Sequence, residues 1–74
     1  MYYWAELMYP DDLFKTGIAV FSECEYKAQY HEHISKYMIN LRAIRVDNVY
    51  DAILQATAKA KQKNIPIEFY LAVN

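Results

Sequence analysis

Residues 22–39 read Ser22-Glu-Cys-Glu-Tyr-Lys-Ala-Gln-Tyr-His-Glu-His-Ile-Ser-Lys-Tyr-Met-Ile39, and whether they form a strand or a helix decides the fold. From Cys24 to Tyr30 apolar and polar residues alternate, as in a half-buried strand. Yet Tyr26, Tyr30, Ile34, Tyr37 and Leu41 stand at offsets 0, 4, 8, 11 and 15, the spacing of one helix face. The breakers decide between them. From Ile18 to Ile39 there is no Gly, Pro, Asn or Asp, and an unbroken strand of that length would far exceed the usual roughly three to ten residues. Ser22 and Glu25 also stand at the spacing of a capping box, with Phe21 and Tyr26 in the flanking hydrophobic-staple positions. Glu23 and Glu25 suit the positive end of a helix dipole. The reading is a short strand over 18–21 followed by a helix from 23 to about 39.

Working outward, the clearest strand is the last. Ile65, Ile67, Phe69, Leu71 and Val73 alternate with Pro66, Glu68, Tyr70 and Ala72, a period of two with one buried face. Pro66 cannot donate to a ladder and belongs at a strand start or an open edge. Tyr2 to Tyr9 is a second strand, apolar on both faces. Leu41 to Val46 is a third, brief one, after which Asp47 or Asn48 caps a second helix. That helix carries the stripe Val49, Ile53, Ala56 and Ala60, with Ala52 beside it, and ends in Lys59, Lys61 and Lys63. Pro10-Asp-Asp and Thr16-Gly17 bracket the first connection.

The order β-β-α-β-α-β predicts an α+β fold: a small two-layer sandwich of about four strands with two helices on one face. The segment from Leu41 to Val73 fits a right-handed βαβ unit with parallel strands. At 74 residues, without repeats or Gly/Ser/Pro linkers, residues 1–74 make a single compact domain. Hydrophobic residues at 55% and aromatic residues at 16% argue against a disordered chain.

The net charge of −1 and the pI near 6.0 argue against a strong nucleic-acid binder. The charge is uneven, however. Residues 1–35 hold six acids and two lysines, whereas residues 36–74 hold six bases and three acids. No stretch approaches the roughly 18 apolar residues that span a bilayer, so no membrane association is expected. The amino terminus lacks the basic start of a secretory signal, and a single Cys fits a reducing compartment. The expected location is the cytoplasm.

His31-Glu-His33 resembles a metal motif only if it is extended. On a helix the two imidazoles point about 200° apart and cannot share an ion. Cys24 and His31 share a helix face but lie about 10.5 Å apart along it, too far for one metal or for a nucleophile and its base. Cys24 then reads as a small buried thiol. One Gly cannot build a phosphate loop. The expectation is a protein that is not an enzyme and has no cofactor and no metal site.

The aromatic residues carry what functional signal there is. Tyr26, Tyr30 and Tyr37 belong to the helix stripe and hence to the core. If both helices cover the sheet face made by Leu7, Phe69 and Leu71, the other face presents Tyr2, Trp4, Met8 and Tyr70. Exposed Tyr, Trp and Met are what contact surfaces are made from. The plainer alternative makes the first strand central in a folded-over sheet, or leaves it simply decorated by scattered exposed aromatics. Partner binding is assigned to Tyr2, Trp4, Met8 and Tyr70, with Arg42 and Arg45 beside them.

The leading reading is a protein-binding module. Chain size alone adds the idea of a phage or mobile-element protein that inhibits a host enzyme or defence complex, and no motif carries it. An open edge strand would also allow a homo-oligomer. The alternative is a single-stranded nucleic-acid-binding domain that stacks bases on Tyr2, Trp4 and Tyr70, with Arg42, Arg45, Lys59, Lys61 and Lys63 along the backbone path.

Overall fold

Ile18-Ala-Val-Phe21 is an apolar run without alternation, the pattern of a strand covered on both faces. In the computed structural model, which describes residues 1–9, 12–32, 38–39 and 43–71, all four of these side chains are 1% exposed or less. The elements in chain order are β1 (Tyr2–Tyr9), β2 (Asp12–Ser22), α1 (Glu23–Glu32), β3 (Met38–Ile39), β4 (Ile44–Val46), α2 (Val49–Lys63) and β5 (Ile67–Tyr70). The buried run is the second half of β2.

β1 pairs with β2 antiparallel, from Tyr2 opposite Ser22 to Met8 opposite Thr16, and a register shift then sets Tyr9 opposite Asp12. β5 joins the other side of β2 in parallel, with Ile18 opposite Ile67 and Phe21 opposite Tyr70. Both β3 and β4 run antiparallel to β1, β3 against Leu7 and Met8 and β4 against Tyr2, Tyr3 and Trp4. They share one edge, so the mixed sheet is four positions wide. β4 and β5 point the same way, as a βαβ connection requires, but β1 and β2 lie between them.

The register sorts the side chains into two cores. Ile18, Val20 and Val46 face α2 and pack on Ala52, Ala56 and Ala60. Ala5, Leu7, Ala19 and Phe21 face the other way and pack with Tyr3 and Tyr70 and with Tyr26 of α1. The small α+β sandwich with a mixed sheet and two helices therefore stands, but the helices take opposite faces instead of sharing one. Leu7 and Phe69, expected together, are likewise on opposite faces.

Local chemistry accounts for the helix ends. The Glu25 N–H donates to Ser22 Oγ at 3.2 Å, the expected cap of α1, and the rings of Phe21 and Tyr26 meet edge-on with centroids 6.0 Å apart. At the start of α2, Asn48 Oδ1 accepts from the Asp51 N–H at 2.9 Å while Asn48 Nδ2 donates to Asp51 Oδ2 at 2.8 Å. Asn64 ends α2 in the left-handed region, φ 55°, and the Ile65 N–H returns to the Ala60 carbonyl at 3.0 Å.

The following features differ from expectation. β2 extends back to Asp12, so Thr16-Gly17 is not a turn. Gly17 is buried in the ladder opposite Leu7, without a positive φ. α1 is described over Glu23–Glu32, and Met38–Ile39, expected as helix, pair with β1 instead. Ile34, Tyr37 and Leu41, the far end of the expected stripe, lie outside the described residues, as does His33. Cys24, expected to be buried, is exposed, because the second residue of α1 faces away from the sheet.

Candidate contact surface

Tyr2 and Trp4 lie on the α2 face, half-buried against its aliphatic core. Trp4 Nε1 donates to Gln55 Oε1 at 3.0 Å, so the indole edge is held by α2 itself. Met8 is also half-buried, opposite Thr16 and Met38. Tyr70 is on the other face, where its ring stacks on Phe21 at 5.2 Å and its hydroxyl donates to the Glu68 carboxylate. Arg45 is exposed on β4, at the sheet edge away from β5, and Arg42 lies outside the described residues. The expected open aromatic face does not form. Its members divide between two faces, and α2 covers one of them.

Large apolar side chains are exposed elsewhere. Tyr50 is 81% exposed, Leu54 69% and Phe69 50%. Tyr50, Leu54, Thr57 and Lys61 stand at i, i+4, i+7 and i+11 and so form one stripe along α2. Its position around the helix follows from two anchors. Gln55 meets Trp4 of β1 on one flank, whereas Thr57 and Lys61 line an open groove with Ile67 of β5 on the other. The stripe therefore lies on the outer surface of α2, on the side away from Gln55, and reaches β5 at Thr57 and Lys61. Phe69 has Val20 as its neighbour on β2, whose side chain packs under α2, and thus shares this side of the sheet.

The groove has a volume of about 470 Å³ and is floored by Ile65, Pro66 and Ile67. Lys61 sits at its rim, and among the described residues no carboxylate pairs with it. The helix stripe and the groove share Thr57 and Lys61, so exposed aromatic and aliphatic residues on α2 and β5 lie on one side of the sheet with a cation between them.

One buried charge lies nearby but outside this surface. Glu6 is 6% exposed on the α2 face, and Lys63 Nζ lies 2.5 Å from its Oε1. The pair ties the last turn of α2 to β1. Among the described residues no group of three or more His, Cys, Asp or Glu is placed to hold a metal ion, and no helix is long and apolar enough to cross a membrane.

Sequence reasoning missed Tyr50 and Leu54, although the signal was present. Once Val49, Ala52, Ile53, Ala56 and Ala60 are taken as the buried stripe, Tyr50 and Leu54 are large apolar residues on the wrong side of an amphipathic helix. Comparison with protein-family models, with curated proteins and with solved structures finds no match.

Proposed function

We propose that this chain is a non-enzymatic protein-binding module whose contact surface is the α2–β5 flank. The observation that carries the reading is that one outer stripe of α2 bears two large exposed apolar side chains, Tyr50 and Leu54, and continues through Thr57 and Lys61 into the groove beside β5, with the exposed Phe69 on the same side of the sheet. Scattered single exposures need no explanation, but a contiguous patch with a polar rim marks a site of association. A role as an inhibitor encoded by a phage or mobile element still rests on chain size and gains no support from this geometry.

The nucleic-acid reading needs Tyr2, Trp4 and Tyr70 on one open face, and these residues lie on two faces. Affinity capture separates the possibilities. A Tyr50→Ser, Leu54→Ser double variant should keep its circular dichroism spectrum and lose partners that the wild type retains. Equal recovery by both baits sinks the assignment of the surface. A mobility shift with single-stranded oligonucleotides at low salt, if seen at micromolar protein, would reinstate the alternative.

A further inference from the structure

The two edges of the sheet are built differently. One is divided between β3 and β4, two short segments, with Arg45 exposed on it, which are devices that discourage edge-to-edge pairing. The other is β5, and among the described residues no strand pairs with its outer side. The Ile18 N–H donates to the Pro66 carbonyl at 2.9 Å. In a parallel ladder the residue opposite Ile18, which is Ile67, then turns its own N–H and C=O away from β2, and Phe69 does the same two residues on. The outward backbone groups thus belong to two apolar residues. The one charged side chain of β5, Glu68, projects from the opposite face.

We propose that β5 pairs along this edge, antiparallel and about a twofold axis, with β5 of a second copy of the chain. This names the first partner of the surface read above as a contact site and rests on that reading. The edge is self-complementary. With the axis at Phe69, each Phe69 exchanges both backbone hydrogen bonds with its counterpart, and Ile67 falls opposite Leu71 of the copy, apolar against apolar.

The helices agree with this arrangement. α2 runs back along β5, with Lys61 level with Ile67 and Tyr50 three turns away at the other end. A twofold axis sets the two α2 helices antiparallel on the same face of one continuous sheet. The end bearing Lys61 then lies toward the copy's end bearing Asp47 and Asp51, and the helix dipoles oppose. The edge is only four residues long, so the dimer is concentration-dependent.

Sedimentation of the whole chain from micromolar to sub-millimolar concentration tests this, together with amide hydrogen exchange. A reversible monomer–dimer equilibrium is expected, with exchange at Ile67 and Phe69 slowing as the dimer fills. Phe69→Asp should move the midpoint roughly tenfold or more to higher concentration while keeping the native circular dichroism spectrum. If that variant fails to fold, exchange at the two wild-type amides decides. A chain that stays monomeric throughout overturns the proposal and leaves the capture experiment on Tyr50 and Leu54 unaffected. A dimer in which the Ile67 and Phe69 amides exchange as fast as in the monomer places the interface elsewhere and overturns it too.

Discussion

The two helices cover opposite faces of one sheet and are fastened by different chemistry. α2 lies on a bed made with its own alanines: Ala52, Ala56 and Ala60 present only methyl groups, so the helix backbone approaches Ile18, Val20 and Val46 closely. It is pinned at its flank by the Gln55–Trp4 hydrogen bond and at its last turn by the Lys63–Glu6 pair. Among its described side chains, α1 is held largely through one. Tyr26 stacks on Tyr3 with centroids 4.2 Å apart and meets Phe21 edge-on, and Phe21 in turn stacks on Tyr70. A broad aliphatic contact shares its load over many small groups, whereas an aromatic row concentrates it in a few large ones. The difference predicts where single substitutions hurt most.

The largest effect should come from Phe21→Ala. Phe21 is 1% exposed and is the ring that both Tyr26 and Tyr70 contact, so its loss leaves a cavity at the centre of the row. Removing a buried Phe costs about 3–5 kcal/mol, a large part of the stability of so short a chain. Urea unfolding monitored by circular dichroism measures it. A cost below about 1 kcal/mol would mean that the aromatic row is not the principal anchor of α1.

On the α2 face the sensitive point is electrostatic. Lys63→Met removes the cation beside a carboxylate that has little access to water, which should destabilise the fold by about 1–3 kcal/mol. The range lies below that of a fully buried pair because Lys63 itself is 40% exposed. Replacing both members, Glu6→Leu with Lys63→Met, should recover most of the loss, since no charge is then left buried. If the double variant is as unstable as the single one, the methylenes of Lys63 matter through packing and the charge does not.

How far the fold could be read in advance follows the same division. α2 was legible because Val49, Ala52, Ile53, Ala56 and Ala60 repeat at one period and Asn48 and Asn64 stand at its two ends. α1 was legible at its start, where Ser22 caps it, and not at its end, where the helical spacing runs on past the point at which the chain returns to pair with β1. Local periodicity cannot register that a later residue finds a strand partner. The placement of the helices on opposite faces did have a signature, since Ile18-Ala-Val-Phe21 does not alternate and β1 is apolar on both sides. The candidate contact surface was obscured by the assumption that tryptophan and tyrosine on a strand lie open, when a helix was available to cover Trp4.

The smallest effect, and the one that best sharpens the comparison, lies at the caps. Ser22→Ala removes the acceptor of the Glu25 N–H and should cost about 1 kcal/mol. Asn48→Ala removes both bonds to Asp51 and should cost a similar amount. Their local consequences should differ. α2 keeps its alanine bed and its two side-chain pins when its cap is lost, so its amides should still exchange only through global unfolding. α1 has Tyr26 as its chief described anchor, so loss of Ser22 Oγ should let the first turns of α1 open on their own, with faster exchange there and little change in α2. If Ser22→Ala accelerates exchange equally in both helices, α1 unfolds only with the whole molecule, and the contrast between a shared and a concentrated attachment does not hold.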